Sequence, residues 1–90
     1  MDVVWDPAKA RANLKKHGVR FADAELVLFD PCALTIEDKD SETQQRFVTI
    51  GRDATGTVLV VVHAYQDEGV RPISARRANR KEIHVYEEGI

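Results

Sequence analysis

The stretch Thr57-Val58-Leu59-Val60-Val61-Val62-His63-Ala64-Tyr65 decides the fold, because it is an almost continuous run of β-branched and apolar residues. A strand that is apolar on both faces is covered on both sides, which places this stretch in the centre of a sheet. The segment Arg46–Arg52 precedes it, and Asp53-Ala54-Thr55-Gly56 lies between them with the residue types of a tight turn. The two segments therefore predict a β-hairpin.

Two further strands are predicted outward from this hairpin. Gln66–Gly69 has turn composition, and Val70–Arg76 returns as a strand in which Pro72 lacks a ladder donor, which indicates an edge position or a bulge. Upstream, Ala33–Ile36 is a short strand, and the polar run Glu37–Gln45 is an exposed loop. We therefore expect an antiparallel sheet of three to four strands.

A first helix is predicted before the strands, and its two ends carry clear signals. Asp6 can accept hydrogen bonds from free backbone amides, and Pro7 at the first helical position loses no needed donor. Three basic residues followed by Gly18 suit a helix C-terminus, because the helix dipole favours cations there and glycine adopts the left-handed stop. The helix should span Pro7–His17.

Two more helices complete the predicted layout. One spans Phe21–Phe29 and ends where Asp30-Pro31 forbids continuation, and the other spans Ala78–Glu88 and is stopped by Gly89. Two N-terminal helices, an antiparallel meander and a C-terminal helix make an α+β fold. We expect the helices to cover one face of the sheet and to leave the other face open.

The 90-residue chain is interpreted as one domain over residues 1–90. Charge is unevenly distributed along it. The 13 Lys and Arg nearly balance 15 Asp and Glu, giving a net charge of -2. Yet all ionised residues from Pro7 to Ala22 are basic, most of those from Asp23 to Glu42 are acidic, and Arg71–Lys81 holds five cations and no carboxylate. These basic blocks favour a polyanion such as a phosphate backbone, and solvated helix faces are the alternative.

Several classes of function are disfavoured by composition. No apolar run approaches the roughly 20 residues that span a bilayer, and the N-terminus lacks the features of a secretion signal, so we expect a cytoplasmic protein without membrane contact. Cys32 is the sole cysteine, which rules out an internal disulfide, and we expect a buried, inert thiol. No convincing metal-ligand spacing or glycine-rich phosphate loop is present, so neither a metal nor a cofactor is predicted.

Short motifs follow one another along the chain in a fixed order: Trp5-Asp6, Asn13, Lys16-His17-Gly18, Phe21, Ala24, Phe29-Asp30, Gly51, Val60-Val61-Val62, Arg71, Ile73-Ser74-Ala75-Arg76, Ala78, Glu82 and Tyr86. This ordered set resembles the BrnT-type toxins, the small ribonuclease partners of type II toxin–antitoxin pairs. The resemblance implies a RelE/ParE-like fold, metal-independent RNA cleavage that arrests translation, and inhibition by a BrnA-type antitoxin with a ribbon-helix-helix DNA-binding domain. Operator DNA would be bound only through the toxin–antitoxin complex. Pro72 and Asn79 depart from the residues usual in the family.

Metal-free RNA cleavage needs a proton-transfer group and cations for the charge that builds on phosphate. His17 is the candidate for proton transfer, since imidazole both gives and takes protons near neutral pH, and a helix-ending cation is the alternative. Arg71 and Arg76 are the candidates for phosphate, because a guanidinium donates two parallel hydrogen bonds to it. Ion pairing of these arginines with Glu82 or the acidic loop is the alternative.

The remaining candidates have supporting roles. Glu82 and Tyr86, four residues apart on the last helix, would orient Arg76 or stack on a base, and core anchoring is the alternative for Tyr86. His63, inside the apolar strand, is expected to be a satisfied core residue. The expected RNA-binding residues, with solvated surface charge as the alternative for the cations, are Lys16, Ser74, Arg77, Arg80 and Lys81.

Two other functions compete with a metal-independent ribonuclease. The first is a non-catalytic module on the same fold that binds nucleic acid or an antitoxin, and Pro72 keeps it open because a bent strand would shift Arg71 relative to Arg76. The second is a metal-dependent nuclease, which EDTA would inhibit.

Overall fold

The computed structural model describes residues 2–40, 44–67 and 69–89, and it confirms an α+β fold with three helices. Predicted and observed elements differ by at most two residues at any end, apart from one additional strand. Positions 41–43 of the predicted loop and position 68 of the predicted second turn lie outside the described residues. The elements are β1 (Asp2–Val3), α1 (Pro7–His17), α2 (Phe21–Leu28), β2 (Leu34–Asp38), β3 (Arg46–Arg52), β4 (Val58–Gln66), β5 (Gly69–Arg77) and α3 (Arg80–Glu88).

The sheet has five strands in the order β1-β5-β4-β3-β2, so the predicted count of three to four was wrong. The additional strand β1 runs parallel to β5 and pairs Asp2 with Gly69 and Val3 with Val70, which makes the sheet mixed. A strand of two residues has no periodicity to detect. The close pairing of β1 with β5 also depends on Gly69, because a Cβ there would lie 2.9 Å from the carbonyl oxygen of Asp2.

The bulge indicated by Pro72 is confirmed. Val62 of β4 pairs with Ser74, whereas the next residue, His63, pairs with Pro72, so Ile73 is the extra residue on β5. The missing donor of proline is tolerated at such an irregularity. Pro72 is buried, and the regular register on the Arg76 side of the bulge continues to the end of the strand.

The first face of the sheet carries the apolar core, which α1 and α2 cover. Phe21, Ala24 and Val27 of α2 pack with Leu59, Val61 and Ala75 of the sheet, and all six are at most 2% exposed. Gly51 lies under α2, because a Cβ there would come within 3.1 Å of a methyl carbon of Val27. The absence of a side chain at this position therefore lets helix and sheet approach closely.

The second face is partly covered by α3, so the expectation that it stays open was wrong for this part. Residues paired across strands project from the same face, and Val60 of β4 pairs with Arg76 of β5, which binds α3. Val58 and Val60 are buried there. The next row of paired residues on this face, which runs from Ile36 of β2 to Ser74 of β5, remains accessible, and Ile36 is 69% exposed.

Cys32 and His63 were both expected to be buried. Cys32 is exposed, so its predicted burial was wrong; it lies in the turn after α2, where its backbone amide donates to Asp30. His63 is 1% exposed, which confirms a core position. Its buried Nδ1 makes no hydrogen bond to the described residues, so the expectation that this histidine is satisfied was wrong for that nitrogen. Among the described residues, the longest helix has 11 residues, and none is long and apolar enough to cross a bilayer.

Candidate active site

A depression of about 210 Å³ lies between the C-terminal half of α1 and the outer edge of β5. It brings together Lys16, His17 and Ser74, three of the predicted site residues. Lys9, which no sequence motif marks as a site residue, adds a second ammonium group at its wall. No carboxylate is among the described residues that line it. The lining residues are Lys9, Ala12, Asn13, Lys16, His17, Ile73 and Ser74.

Asn13 holds α1 against β5 and so builds this depression. Its side-chain nitrogen donates to the carbonyl oxygens of Val19 and Ala75, both at 2.9 Å. Its side-chain oxygen accepts from the Ala75 amide, also at 2.9 Å. Because Asn13 exchanges both hydrogen bonds with Ala75, it takes the place of a strand partner at this edge. The sequence signal was an amide in mid-helix, and only the tertiary contact reveals its purpose.

Arg76 and Glu82 form a bidentate ion pair on the second face. Nη1 and Nη2 of Arg76 each donate to one carboxylate oxygen of Glu82 at 2.8 Å. The hydrogen bonds from Arg76 hold the pKa of Glu82 below its usual value, against the opposing effect of burial. Glu82 in turn raises the pKa of Arg76 still further above neutrality. The ion pair that the sequence left open as an alternative is therefore present.

The start of α3 fixes Glu82 in this position. The Asn79 amide donates to Glu82 Oε1 at 2.9 Å, and the Glu82 amide donates to Asn79 Oδ1 at 2.8 Å. This reciprocal pair is a capping box, which satisfies two free amides at the helix N-terminus. Asn79, which departs from the residue usual in the family, thus serves as the N-cap of α3.

Tyr86 is anchored within the molecule one helical turn after Glu82. Its hydroxyl donates to Asp30 Oδ2 at 2.6 Å, and the side chain is buried. This hydrogen bond, with burial, raises the pKa of Tyr86 to about 12. The guanidinium carbon of Arg52 lies 5.3 Å from the ring centroid, within cation–π range. These contacts match the core-anchoring alternative.

The other predicted residues are more dispersed. Arg71 donates from Nη2 to Gln44 Oε1 at 3.0 Å and does not line the depression that contains His17. Arg77, Arg80 and Lys81 are exposed near the junction of β5 and α3.

Ser74 connects the two main groups of candidates. It pairs with Val62, and Arg76 pairs with Val60, so both side chains project from the second face two residues apart. Ser74 also lines the depression with His17. Within the described ranges no group of three or more His, Cys, Asp or Glu has a geometry that could hold a metal ion.

Comparison with known proteins assigns the family. A model described as "Ribonuclease toxin, BrnT, of type II toxin-antitoxin system" matches residues 5–82. The chain is also similar to the crystal structure of the Brucella abortus ribonuclease toxin BrnT, with 28% identity, a TM-score of 0.67 and coverage of 89% of this chain and 99% of that one. Curated proteins yield no match. With most of its length matched, the chain belongs to the BrnT family of ribonuclease toxins of type II toxin–antitoxin systems.

Proposed function

We propose that this protein is a metal-independent endoribonuclease of the cytoplasm that cleaves messenger RNA, blocks translation and is silenced by a BrnA-type antitoxin with a ribbon-helix-helix domain. Its family supports a ribonuclease toxin with RNA as substrate and an antitoxin as partner. The single observation that carries the finer proposal is the meeting of Lys16, His17 and Ser74 in one depression whose described lining has no carboxylate.

His17 is the proton-transfer residue of this proposal. Its imidazole takes the proton of a ribose 2′-hydroxyl, and the oxygen then attacks the adjacent phosphorus while the bond to the 5′ oxygen breaks. The products are a 2′,3′-cyclic phosphate and a 5′-hydroxyl, whose proton comes from a general acid. Lys9 and Lys16 line the same depression and attract the phosphate backbone there.

Arg76 stabilises the negative charge that develops on the phosphoryl oxygens. A guanidinium has five N–H donors, and Glu82 takes one from each terminal nitrogen. The Arg76 side chain is 43% exposed, which leaves it accessible to a phosphate. Glu82 orients Arg76, and Tyr86 anchors the helix that carries Glu82. Arg71 binds a neighbouring phosphate, while the surface cations at positions 77, 80 and 81 bind the RNA backbone.

The antitoxin, in this proposal, covers the basic edge formed by α1 and β5 and so blocks RNA. Operator DNA is contacted through the ribbon-helix-helix domain of the complex. Support comes from the family assignment and from the shared cationic lining of the depression.

The test is RNA cleavage by purified protein in EDTA. We expect cleavage in EDTA, a loss of about 100-fold or more with His17→Gln because the proton-transfer group is removed, and a comparable loss with Arg76→Ala. His84→Gln is the matched control, because His84 is an exposed imidazole on α3 that pairs with Glu88. Adding active protein to a cell-free translation reaction should stop protein synthesis, and a co-purified BrnA-type antitoxin should restore it.

The same assay separates the rivals. RNA binding without cleavage, in EDTA or with added divalent metal, would indicate a non-catalytic module. Cleavage that appears only with divalent metal would indicate a metal-dependent nuclease.

A further inference from the structure

Three segments that are distant in sequence meet at Asp30, the residue two positions after α2. Its Oδ1 accepts from the Cys32 amide at 2.9 Å in the turn toward β2. Its Oδ2 accepts from the Arg52 amide at the end of β3, at 2.8 Å, and from the Tyr86 hydroxyl of α3, at 2.6 Å. One carboxylate therefore joins a helix on the first face to the helix on the second face.

The end of the sheet provides the opening for this contact. Strand β2 begins at Leu34, which pairs with Ile50, so Arg52 lies beyond the last pair between β2 and β3, although it still pairs with Val58 of β4. On the β2 side, none of the described strands reaches its amide. Asp30 supplies the missing acceptor. Gly51 makes room, because a Cβ there would lie 3.2 Å from Asp30 Oδ2. The carboxylate thus occupies a position that depends on a glycine and on the shortness of β2.

On one side, helix α3 is attached to Arg76 of the sheet and to Asp30 in the turn after α2. Glu82 binds Arg76, and Tyr86, four residues later and therefore on the same side of the helix, binds Asp30. Tyr86 is the only buried residue among those of α3. With so little apolar burial, the rotation and height of α3 over the sheet depend on these two attachments and on Arg52 of β3, whose guanidinium lies 5.3 Å from the Tyr86 ring centroid and 3.9 Å from a carboxylate oxygen of Glu87.

We propose that Asp30 is a positioning residue for RNA cleavage. By holding Tyr86 it fixes α3 against the sheet, and thereby fixes Glu82 against Arg76. Asp30 contacts neither RNA nor Arg76, and its effect passes through the helix. This inference rests on the proposed function, in which Arg76 stabilises charge on the phosphoryl oxygens.

The experiment compares Asp30→Asn and Tyr86→Phe with Asp53→Asn. Asp53 is a matched control, because its Oδ1 also accepts three hydrogen bonds, from the Thr55 amide, the Thr55 hydroxyl and the Thr57 amide, but within the β3–β4 turn. We expect kcat to fall about 10- to 100-fold in the two test variants with KM little changed, since small misplacements of a charge-stabilising group cost rate. Asp53→Asn should leave kcat unchanged.

Two further readouts distinguish positioning from general loss of structure. In an Arg76→Lys background, Asp30→Asn should reduce kcat much less than in the wild type, because residues that act through one group are not additive. Absorbance titration of Tyr86 should give a pKa of about 12 in the wild type and a value nearer that of free tyrosine in Asp30→Asn. Rates are measured at a temperature at which thermal unfolding curves show that every variant is folded. If Asp30→Asn does not fold, the kcat of Tyr86→Phe tests the positioning role instead.

The outcomes separate this inference from the proposed function. Wild-type cleavage in EDTA together with wild-type kcat in both Asp30→Asn and Tyr86→Phe would overturn the positioning role and leave the ribonuclease intact. Additive losses in the Arg76→Lys background would also overturn it. Absence of any cleavage by the wild-type protein would overturn both.

Discussion

The two faces of the sheet are held by different kinds of interaction. On the first face, α2 buries Phe21 and Val27 in an apolar core. On the second face, α3 is tied mainly by hydrogen bonds, with Glu82 on Arg76 and Tyr86 on Asp30. Burial stabilises in proportion to area and without direction, whereas hydrogen bonds require geometry. The first face therefore supplies most of the stability, and the second orients the guanidinium.

The largest expected effect is on the first face. Phe21→Ala removes a side chain that is 1% exposed, and we expect the free energy of unfolding to fall by about 3–5 kcal/mol. Phe29→Ala is the matched control, because Phe29 is 54% exposed and its truncation should cost far less. Urea denaturation of both variants measures the difference. Equal losses would contradict the assignment of the core to this face.

Asn13→Leu tests the polar attachment at the boundary of the first face. The change leaves the amide and carbonyl of Ala75 and the carbonyl of Val19 without their partner, so we expect a loss of roughly 2–3 kcal/mol. Slowed or abolished RNA cleavage should accompany it, because α1 would no longer hold His17 at β5. Wild-type stability in chemical denaturation would show that another group satisfies this strand edge.

Alkaline pH should weaken the second face. The folded-state pKa of Tyr86 is raised to about 12, so its protonated hydroxyl stabilises the fold fully below pH 10 and loses that contribution as the pH rises from 10 toward 12. We expect a loss of roughly 2–3 kcal/mol across this range, from 1.36 kcal/mol for each pH unit of the shift. Tyr86→Phe should remove this pH dependence, and denaturation at stepped pH measures it.

The smallest expected effect is that of acid on the first face, because it depends on the protonation of one buried imidazole. Burial lowers the pKa of His63, whose Nε2 lies 2.7 Å from the Thr49 hydroxyl and whose Nδ1 has no hydrogen-bond partner in the part of the chain that the structure describes. The neutral imidazole fits this site, so stability is retained above pH 6.5 and falls as the pH drops below that value toward the folded-state pKa. His63→Leu should flatten stability between pH 7 and 5. An unchanged slope would assign the acid sensitivity to other groups.

The contact of Asp30 with α3 should resist acid better than the first face does. Burial alone would raise its pKa, but the hydrogen bonds from Tyr86 and from the amides of Arg52 and Cys32 outweigh burial and lower it. The ionised carboxylate therefore keeps its stabilising effect until the pH falls below the ordinary aspartate range. Mild acid should disturb His63 while the Asp30 contact stays intact.

Local signals explain why much of the fold was predictable. Asp6, Pro7 and Gly18 act on their immediate neighbours, and α1 has the predicted ends, with Asp6 accepting from the Ala8 amide and Gly18 in the left-handed conformation. The apolar run around Val61 likewise identified the central strand. The ordered residues that resemble BrnT toxins identified the family, which the comparison confirmed.

Contacts between distant residues explain what was missed. Asn13 binds Ala75 across 62 positions, and Asp30 binds Tyr86 across 56. Neither pair has a spacing or periodicity that would join its members. The candidate site was therefore predictable as a set of residue types and not as an arrangement.

The amino-acid sequence by itself determined the family, the three helices, the central hairpin and the chemical groups available for RNA, because each depends on near neighbours or on residue type. Tertiary structure alone decided that α3 lies on the second face, that His17 meets Ser74 in a cationic depression, and that Arg76 is paired with Glu82. These arrangements depend on how separate elements pack, and packing is set by the whole chain at once.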